Sequence, residues 1–379
     1  MPRTRSRRRT SLPRKNWAFL AYIAGDNNLS DAGLADIDEM ADVGSSPQVH
    51  AGVQIDTEGE HDGSVRYEIT EPDATGTAHR TTIERLPESD SGAPETLRAF
   101  LKWGFDRYPA DNRLVVVWNH GAGFRTHRLR VKDIAFDDYG TSLDIPELAG
   151  TLRKAGARPS NRIAILGFDA CLMNMVEIVH HLRKRVEFVV GSEQTEPNDG
   201  WPYDKVLADM RRGGAPAQIS RKIVDRYIRS YRSTGEQDVT QSAVRTDATD
   251  AVVVALGKLG RRLAQNIGTW GSALRSVRTR VQTYEEYTDY ADLVDLAGLV
   301  SRKIRDDEVK ALTRGVVAAS NAAVVANGRY GRGVRRSNGL SVWFPADRPT
   351  YINFRAKYQA LDCTRRHRGW VEFLDAYHS

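Results

Sequence analysis

Short apolar runs alternate with longer amphipathic segments along most of this chain, the pattern of a largely parallel sheet covered by helices. Trp17 to Ile23 reads as a first strand, a helix opened by Ser30 carries Leu34, Ile37 and Met40 on one face, and Val49 to Ile55 reads as a second strand. A polar hairpin-like stretch between Ser64 and Leu86 and a helix bearing Leu97, Phe100, Leu101 and Phe105 lead to Leu114 to Trp118. That run is apolar on both faces, so it is expected at the centre of the sheet. Asp144 is placed as the cap of a helix ending near Gly156, Arg162 to Phe168 as a second buried strand, and Val186 to Gly191 as a third. From about Ala215 to Val325 the pattern is helical apart from a short strand near Gln241 to Arg245. Gly339 to Phe344 reads as a last strand, and Trp370 to Tyr377 as a closing helix.

Loops leaving the carboxyl ends of parallel strands converge on one edge of such a sheet, where ligands bind. His120 follows the strand ending at Trp118, and Cys171 follows the strand ending at Phe168, 51 positions after His120. A right-handed crossover makes those strands neighbours, so a thiol and an imidazole are expected side by side. The residues after Cys171 read as a helix whose first amides would favour a thiolate, and His120 could assist its attack and protonate a leaving group. Gly121, having no side chain, would let its backbone N–H approach a substrate oxygen and form an oxyanion hole with the amide of Cys171. Cys363 has no such surroundings and reads as a structural core residue.

Composition narrows the field. The chain has 379 residues, 40% hydrophobic and 27% charged, the balance of a globular protein with one large core. No stretch has the roughly 18 to 20 apolar residues of a membrane span. The net charge of +6 is exceeded by the seven basic residues among the first fifteen, so the body is near neutral and residues 1–15 read as a basic disordered tail. Nucleic acid is therefore not the expected partner, and the lack of an export pattern before Asp26 and Asn27 gives a cytoplasmic location as the expectation. Two cysteines exclude a disulfide framework and paired-thiolate zinc motifs. No phosphate-binding glycine loop follows the first strand, and His180 and His181, adjacent on a helix, point apart and would not share one metal ion.

The motifs carrying this chemistry are Trp118-Asn119-His120-Gly121-Ala122-Gly123 and Gly167-Phe168-Asp169-Ala170-Cys171-Leu172-Met173. They resemble those of the clostripain-like cysteine peptidases, within the wider group containing caspases, gingipains and legumains. Trp17 to Leu29, Gly191-Ser192-Glu193, Asp199 to Tyr203 and Gly339 to Pro345 extend the likeness over nearly the whole chain beyond the tail.

The resemblance implies a caspase-like α/β/α sandwich with a mostly parallel central sheet. The peptidase unit would span 16–379, with a catalytic core over 16–246 and a helical C-terminal portion over 247–379 that returns a strand to the sheet. It implies a Cys171–His120 dyad cleaving after Arg or Lys in peptide or protein substrates, with an acidic pocket at Asp169 and Asp199, a pair suited to a guanidinium. Precursors in the family are cut between the His and Cys strands. Arg125, Arg128, Arg130 and Lys132 in the 124–138 loop are thus candidate processing sites, for self-cleavage or for an activating protease. No cofactor is implied for the chemistry. Calcium remains open as a modulator, with Asp137, Asp138 and Glu193 as available oxygen ligands in no EF-hand spacing. The competing reading is a catalytically silent binding or regulatory protein on the same fold.

Overall fold

The structure is a computed structural model that describes residues 12–58, 63–125, 134–135, 141–236 and 238–379. Eleven strands are assigned among these residues: β1 (Lys15–Gly25), β2 (Val49–Thr57), β3 (Val65–Ile69), β4 (Arg80–Arg85), β5 (Ala110–Trp118), β6 (Ile163–Asp169), β7 (Val186–Gly191), β8 (Val239–Arg245), β9 (Tyr290–Asp292), β10 (Val324–Tyr330) and β11 (Ser341–Trp343). Nine form one sheet in the order β10-β8-β7-β6-β5-β1-β2-β3-β4. Its middle, β7-β6-β5-β1-β2, is parallel, and antiparallel strands finish both edges. β5 occupies the centre, as its two-sided apolar pattern requires.

Alternation within β1 divides the core. Ala18, Leu20, Tyr22 and Ala24 face the helices Pro94–Arg107, Ile145–Lys154 and Val176–Leu182 together with most of the C-terminal portion. Trp17, Phe19, Ala21 and Ile23 face Ser30–Val43, Tyr203–Arg211 and Pro216–Thr234. The result is a three-layer α/β/α sandwich. Asp144 caps Ile145–Lys154 in a reciprocal capping box with Glu147. Ser30 begins its helix but spends its hydroxyl on Gly25 O (2.6 Å) instead of a cap.

Three sequence expectations change. The tail is shorter than 1–15 at its inner end, because β1 begins at Lys15, whose ammonium donates to Ser46 O (2.6 Å) and pairs with Glu71, while Arg14 pairs with Asp111. The strand read at Gly339 to Phe344 does not join the central sheet. It forms β11, pairs with β9 in a separate two-stranded sheet, and bridges Met175. The chain after residue 247 instead reaches the main sheet through β10, which directly continues the helix Asp307–Ala323 and pairs with β8. Small residues across that junction hid the change from helix to strand.

Glu177 joins the C-terminal portion to the core, because its Oε1 accepts from Trp343 N (2.9 Å) and from the Tyr358 hydroxyl (2.8 Å). Burial raises its carboxyl from an ordinary 4.5 to about 7. The fold prefers the neutral acid, so this contribution is complete below about pH 4.5 and is lost as pH rises through about 7. Glu177→Gln, which mimics the neutral form, should therefore flatten the decline in melting temperature between about pH 5 and pH 8, where wild type loses up to about 1.4 kcal/mol per pH unit from this group. Parallel profiles for the two proteins would rule this assignment out.

Candidate functional site

β5 and β6 pair in parallel with Trp118 opposite Asp169, so the two loops that follow start from one point on the sheet edge. Asn119 N donates to Asp169 O (3.2 Å), and the Asn119 side chain ties back to Ala24 O and to the amide of His120. These bonds turn the chain at His120. Gly121 then lies against the loop that carries Cys171: a Cβ there would come within 2.4 Å of Cys171 O and 2.9 Å of Cys171 N. Only glycine fits that approach. His120, Gly121 and Cys171 line one cavity of about 460 Å³, and His120 and Cys171 also border a narrower one of about 30 Å³.

The imidazole has a partner that the sequence reading did not name. His120 Nε2 lies 3.0 Å from Asn28 Oδ1, in the loop after β1. When Nε2 donates in this contact, its proton is fixed and Nδ1 becomes the basic nitrogen.

Cys171 departs from expectation. The helix after it begins at Val176, five residues on, so Cys171 is not at a helix N-terminus and receives no help from one. Between them Leu172 adopts a left-handed conformation (φ 66°), costing roughly 1–2 kcal/mol, although its side chain is fully buried. Leu172 N donates to Gln194 O (3.2 Å), which helps hold that turn. The donor to sulfur comes from elsewhere: Glu196 N lies 3.3 Å from Cys171 Sγ. Burial, more than any other influence, pushes the thiol above its ordinary value, with Glu286 and Asp169 adding to the rise and the Glu196 amide opposing it.

Asp169 is buried at the wall of the narrower cavity, and its Oδ2 accepts from Trp201 N (3.0 Å) and from the Tyr203 hydroxyl (2.7 Å). Thus Asp169 anchors the Asp199 to Tyr203 block, while the Trp201 ring covers Gly167, where a Cβ would meet it at 2.6 Å. Burial raises Asp169 to about 6 and the neighbouring Asp36 to about 10. Asp199 is exposed, and although its neighbours Asn198 and Gly200 border the cavities, it lines neither.

Other carboxyls line the two cavities. Glu196 borders both cavities, and Glu285 and Glu286 border the larger. The Glu285–Glu286 segment comes from the C-terminal portion, where Glu285 N donates to Gln194 Oε1 (2.9 Å) and Glu286 is left-handed (φ 60°). No Lys or Arg lines either cavity, so the described walls favour a cationic occupant.

Of the four candidate processing residues, Arg128, Arg130 and Lys132 lie outside the described residues. Arg125 is engaged: it pairs with Asp289 and stacks over Phe354 (4.2 Å) and Tyr287 (5.0 Å). Asp137 and Asp138 are likewise outside the described residues, and Glu193 is buried, accepting from Gly339 N (2.7 Å). Among the described residues no group of three or more His, Cys, Asp or Glu is arranged to hold a metal ion. His180 bonds Asp250 (2.8 Å) while His181 accepts from Asp362 N (3.2 Å), so the two imidazoles serve different partners. Cys363 is buried, with its thiol raised well above the ordinary value by burial.

Comparison with known proteins follows the same lines. Clostripain of Hathewaya histolytica is 26% identical over 228 residues, covering 52% of this chain and 42% of that protein, so the match spans less than half of the relative. Among solved structures, a secreted C11 cysteine protease of Bacteroides thetaiotaomicron with an irreversible peptide inhibitor superposes with TM-score 0.70 at 21% identity over 92% of this chain and 99% of that one. An inactive zymogen C11 protease of Parabacteroides distasonis gives 0.74 at 19% identity over 94% and 99%. At such identities the structural likeness speaks for the caspase-like fold. The model of the clostripain family of C11 peptidases matches residues 21–377, from within β1 across the remaining strands and both loops that carry His120 and Cys171, and this chain belongs to that family.

Proposed function

We propose that the chain is a cysteine endopeptidase that hydrolyses peptide bonds after Arg or Lys, with Cys171 as nucleophile and His120 as its acid–base partner. The observation that carries this reading is the seating of Gly121 on the Cys171 backbone, which holds the two loops at the mouth of one acid-lined cavity. A buried thiol with a raised pKa is a poor nucleophile until its proton is removed, so His120 takes that proton as Sγ attacks the substrate carbonyl carbon. The Glu196 N–H already directed at sulfur stabilises the developing thiolate. The oxygen of the tetrahedral intermediate is received by the backbone N–H groups of Gly121 and Cys171. His120 then protonates the leaving amine as the C–N bond breaks, and a water deprotonated by His120 hydrolyses the thioester, returning the thiol. Each proton moves between named groups, and no cofactor is needed.

The carboxyls along the walls support a preference for a basic residue before the scissile bond. They favour a charged guanidinium or ammonium over a neutral side chain of the same size. Processing in the 124–138 loop is part of the proposal. Arg125 is a poor cleavage point because its guanidinium is already committed, which leaves the segment beyond it.

Three measurements test this. Hydrolysis of fluorogenic Arg and Lys peptides should fall by about 10³-fold or more in Cys171→Ala and in His120→Ala, and retained turnover in either variant would remove it from the dyad. Gly121→Ala should lower kcat by at least about 10-fold with little change in KM, because the added methyl pushes on the Cys171 backbone and not on the substrate side chain; a change confined to KM would contradict this. On incubation, wild type should yield fragments by intact mass with cuts between residues 126 and 133 and none after Arg125, whereas Cys171→Ala should stay whole. Identical fragments from both proteins would assign the cutting to another protease.

A further inference from the structure

We infer that Asn28 is a positioning residue of the reaction: its side-chain oxygen holds the His120 imidazole with a proton on Nε2, so that Nδ1 is the nitrogen that exchanges protons with Cys171 and with the leaving amine. The inference rests on the peptidase reading above and adds one residue to it.

The contact is built from beneath. Ala24 O, near the end of β1, accepts from the side-chain amides of both Asn27 (3.1 Å) and Asn119, the residues immediately before Asn28 and His120. Both asparagines are buried. One carbonyl oxygen therefore fixes the two loops whose next residues meet, with Asn28 Oδ1 3.0 Å from His120 Nε2. The sheet sets the loops level, since β1 and β5 pair in parallel with Ile23 opposite Trp118. The turn around Asn28 is closed as well. Asn27 Oδ1 accepts from Leu29 N (2.9 Å), and the Ser30 hydroxyl accepts from Glu58 N (2.7 Å) while donating to Gly25 O (2.6 Å). Asn28 is itself exposed, yet it stands between buried Asn27 and buried Leu29, so the backbone freedom that weakens most surface hydrogen bonds is already lost on folding.

The chemistry follows from what each atom accepts or donates. An amide oxygen only accepts, so the contact requires the proton on Nε2. A neutral imidazole carries one N–H, and placing it on Nε2 leaves the lone pair on Nδ1. With the proton on Nδ1 instead, two lone pairs would face each other across 3.0 Å. The bond persists when His120 takes up the thiol proton, and it is then charge-assisted, so Asn28 favours the imidazolium as it forms. It does this without adding a negative charge to a cavity that Asn28, His120 and Cys171 share with Glu196, Glu285 and Glu286.

Two readouts test this. Two-bond proton–nitrogen correlation spectra of histidine-labelled protein, with the His120 signals identified by their loss in His120→Gln and the imidazole kept neutral, should show the Nε2-protonated tautomer in wild type and a mixture of both tautomers in Asn28→Ala. On an Arg peptide, Asn28→Ala should lower kcat by about 10- to 100-fold with KM within about threefold. Its acid limb of kcat/KM should move to lower pH, because the imidazolium has lost an acceptor. Asn28→Asp should recover part of kcat and move that limb to higher pH by about one unit, because a carboxylate stabilises the imidazolium further. Cys171, Glu196, Glu285 and Glu286 are common to all three proteins, so the differences between profiles report position 28. Neither KM, the limb nor the tautomer ratio depends on how much of a preparation is folded. An Nδ1-protonated His120 in wild type, the same tautomer in wild type and Asn28→Ala, or a limb that stays in place overturns the inference. An effect confined to KM overturns it too and makes Asn28 a substrate contact. Wild type that shows the Nε2 tautomer but hydrolyses neither Arg nor Lys peptides overturns the peptidase reading, and with it Asn28's part in the reaction, while the bond itself stands.

Discussion

Everything at this site depends on the parallel hydrogen-bonded register of β5 and β6, with Trp118 opposite Asp169. Both strands are buried on both faces, so neither can slip by one residue without turning apolar side chains toward the wrong layer. The register therefore transmits core packing to the sheet edge. Two residues beyond each paired end stand His120 and Cys171, and the close approach of Gly121 to the Cys171 backbone is a consequence of the same register. A site built in this way is as rigid as the core beneath it.

The second organising feature is a concentration of buried carboxyls below that edge. Asp36 and Asp169 influence one another, Asp169 and Glu196 share a side-chain hydrogen bond, and burial raises all three. Such a cluster is destabilising if every member ionises, and the fold limits the cost by keeping protons on some of them and by giving Asp169 two hydrogen-bond donors. Tyr203 and Trp201 are thus electrostatic supports as well as packing residues, which accounts for an aromatic block in a loop that otherwise looks like a surface turn.

Reading the chain alone found what depends on local pattern. His120, Gly121 and Cys171 stood out because each follows a strand unmistakable from its apolar run, and strand ends in a parallel sheet are where chemistry collects. The parts that were missed depend on contacts distant in sequence or on backbone conformation. The start of the helix after Cys171 was misplaced because Leu172, an ordinary helix former, is held left-handed by a bond to Gln194 that no local propensity reveals. Glu196 sits in a polar loop with nothing around it to distinguish it from a solvated acid, and its importance arises only when β7 delivers that loop onto Cys171. Asn28 is brought to His120 by the pairing of β1 with β5.

Gln194 shows why the C-terminal portion belongs to the site and is not an appendage. Its carbonyl oxygen accepts from Leu172 N, and its side-chain Oε1 accepts from Thr195 N (3.0 Å) and Glu285 N (2.9 Å). One buried residue thus ties the turn after Cys171, the wall that carries Glu196, and the distant segment that carries Glu285 and Glu286. Arg125 makes a matching connection on the His120 side, where it pairs with Asp289 and stacks on Tyr287 of that same distant segment. The cavity walls are therefore fixed from both loops at once, and a disturbance at the start of the 124–138 loop has a direct mechanical route, through Tyr287, to the residues facing Cys171.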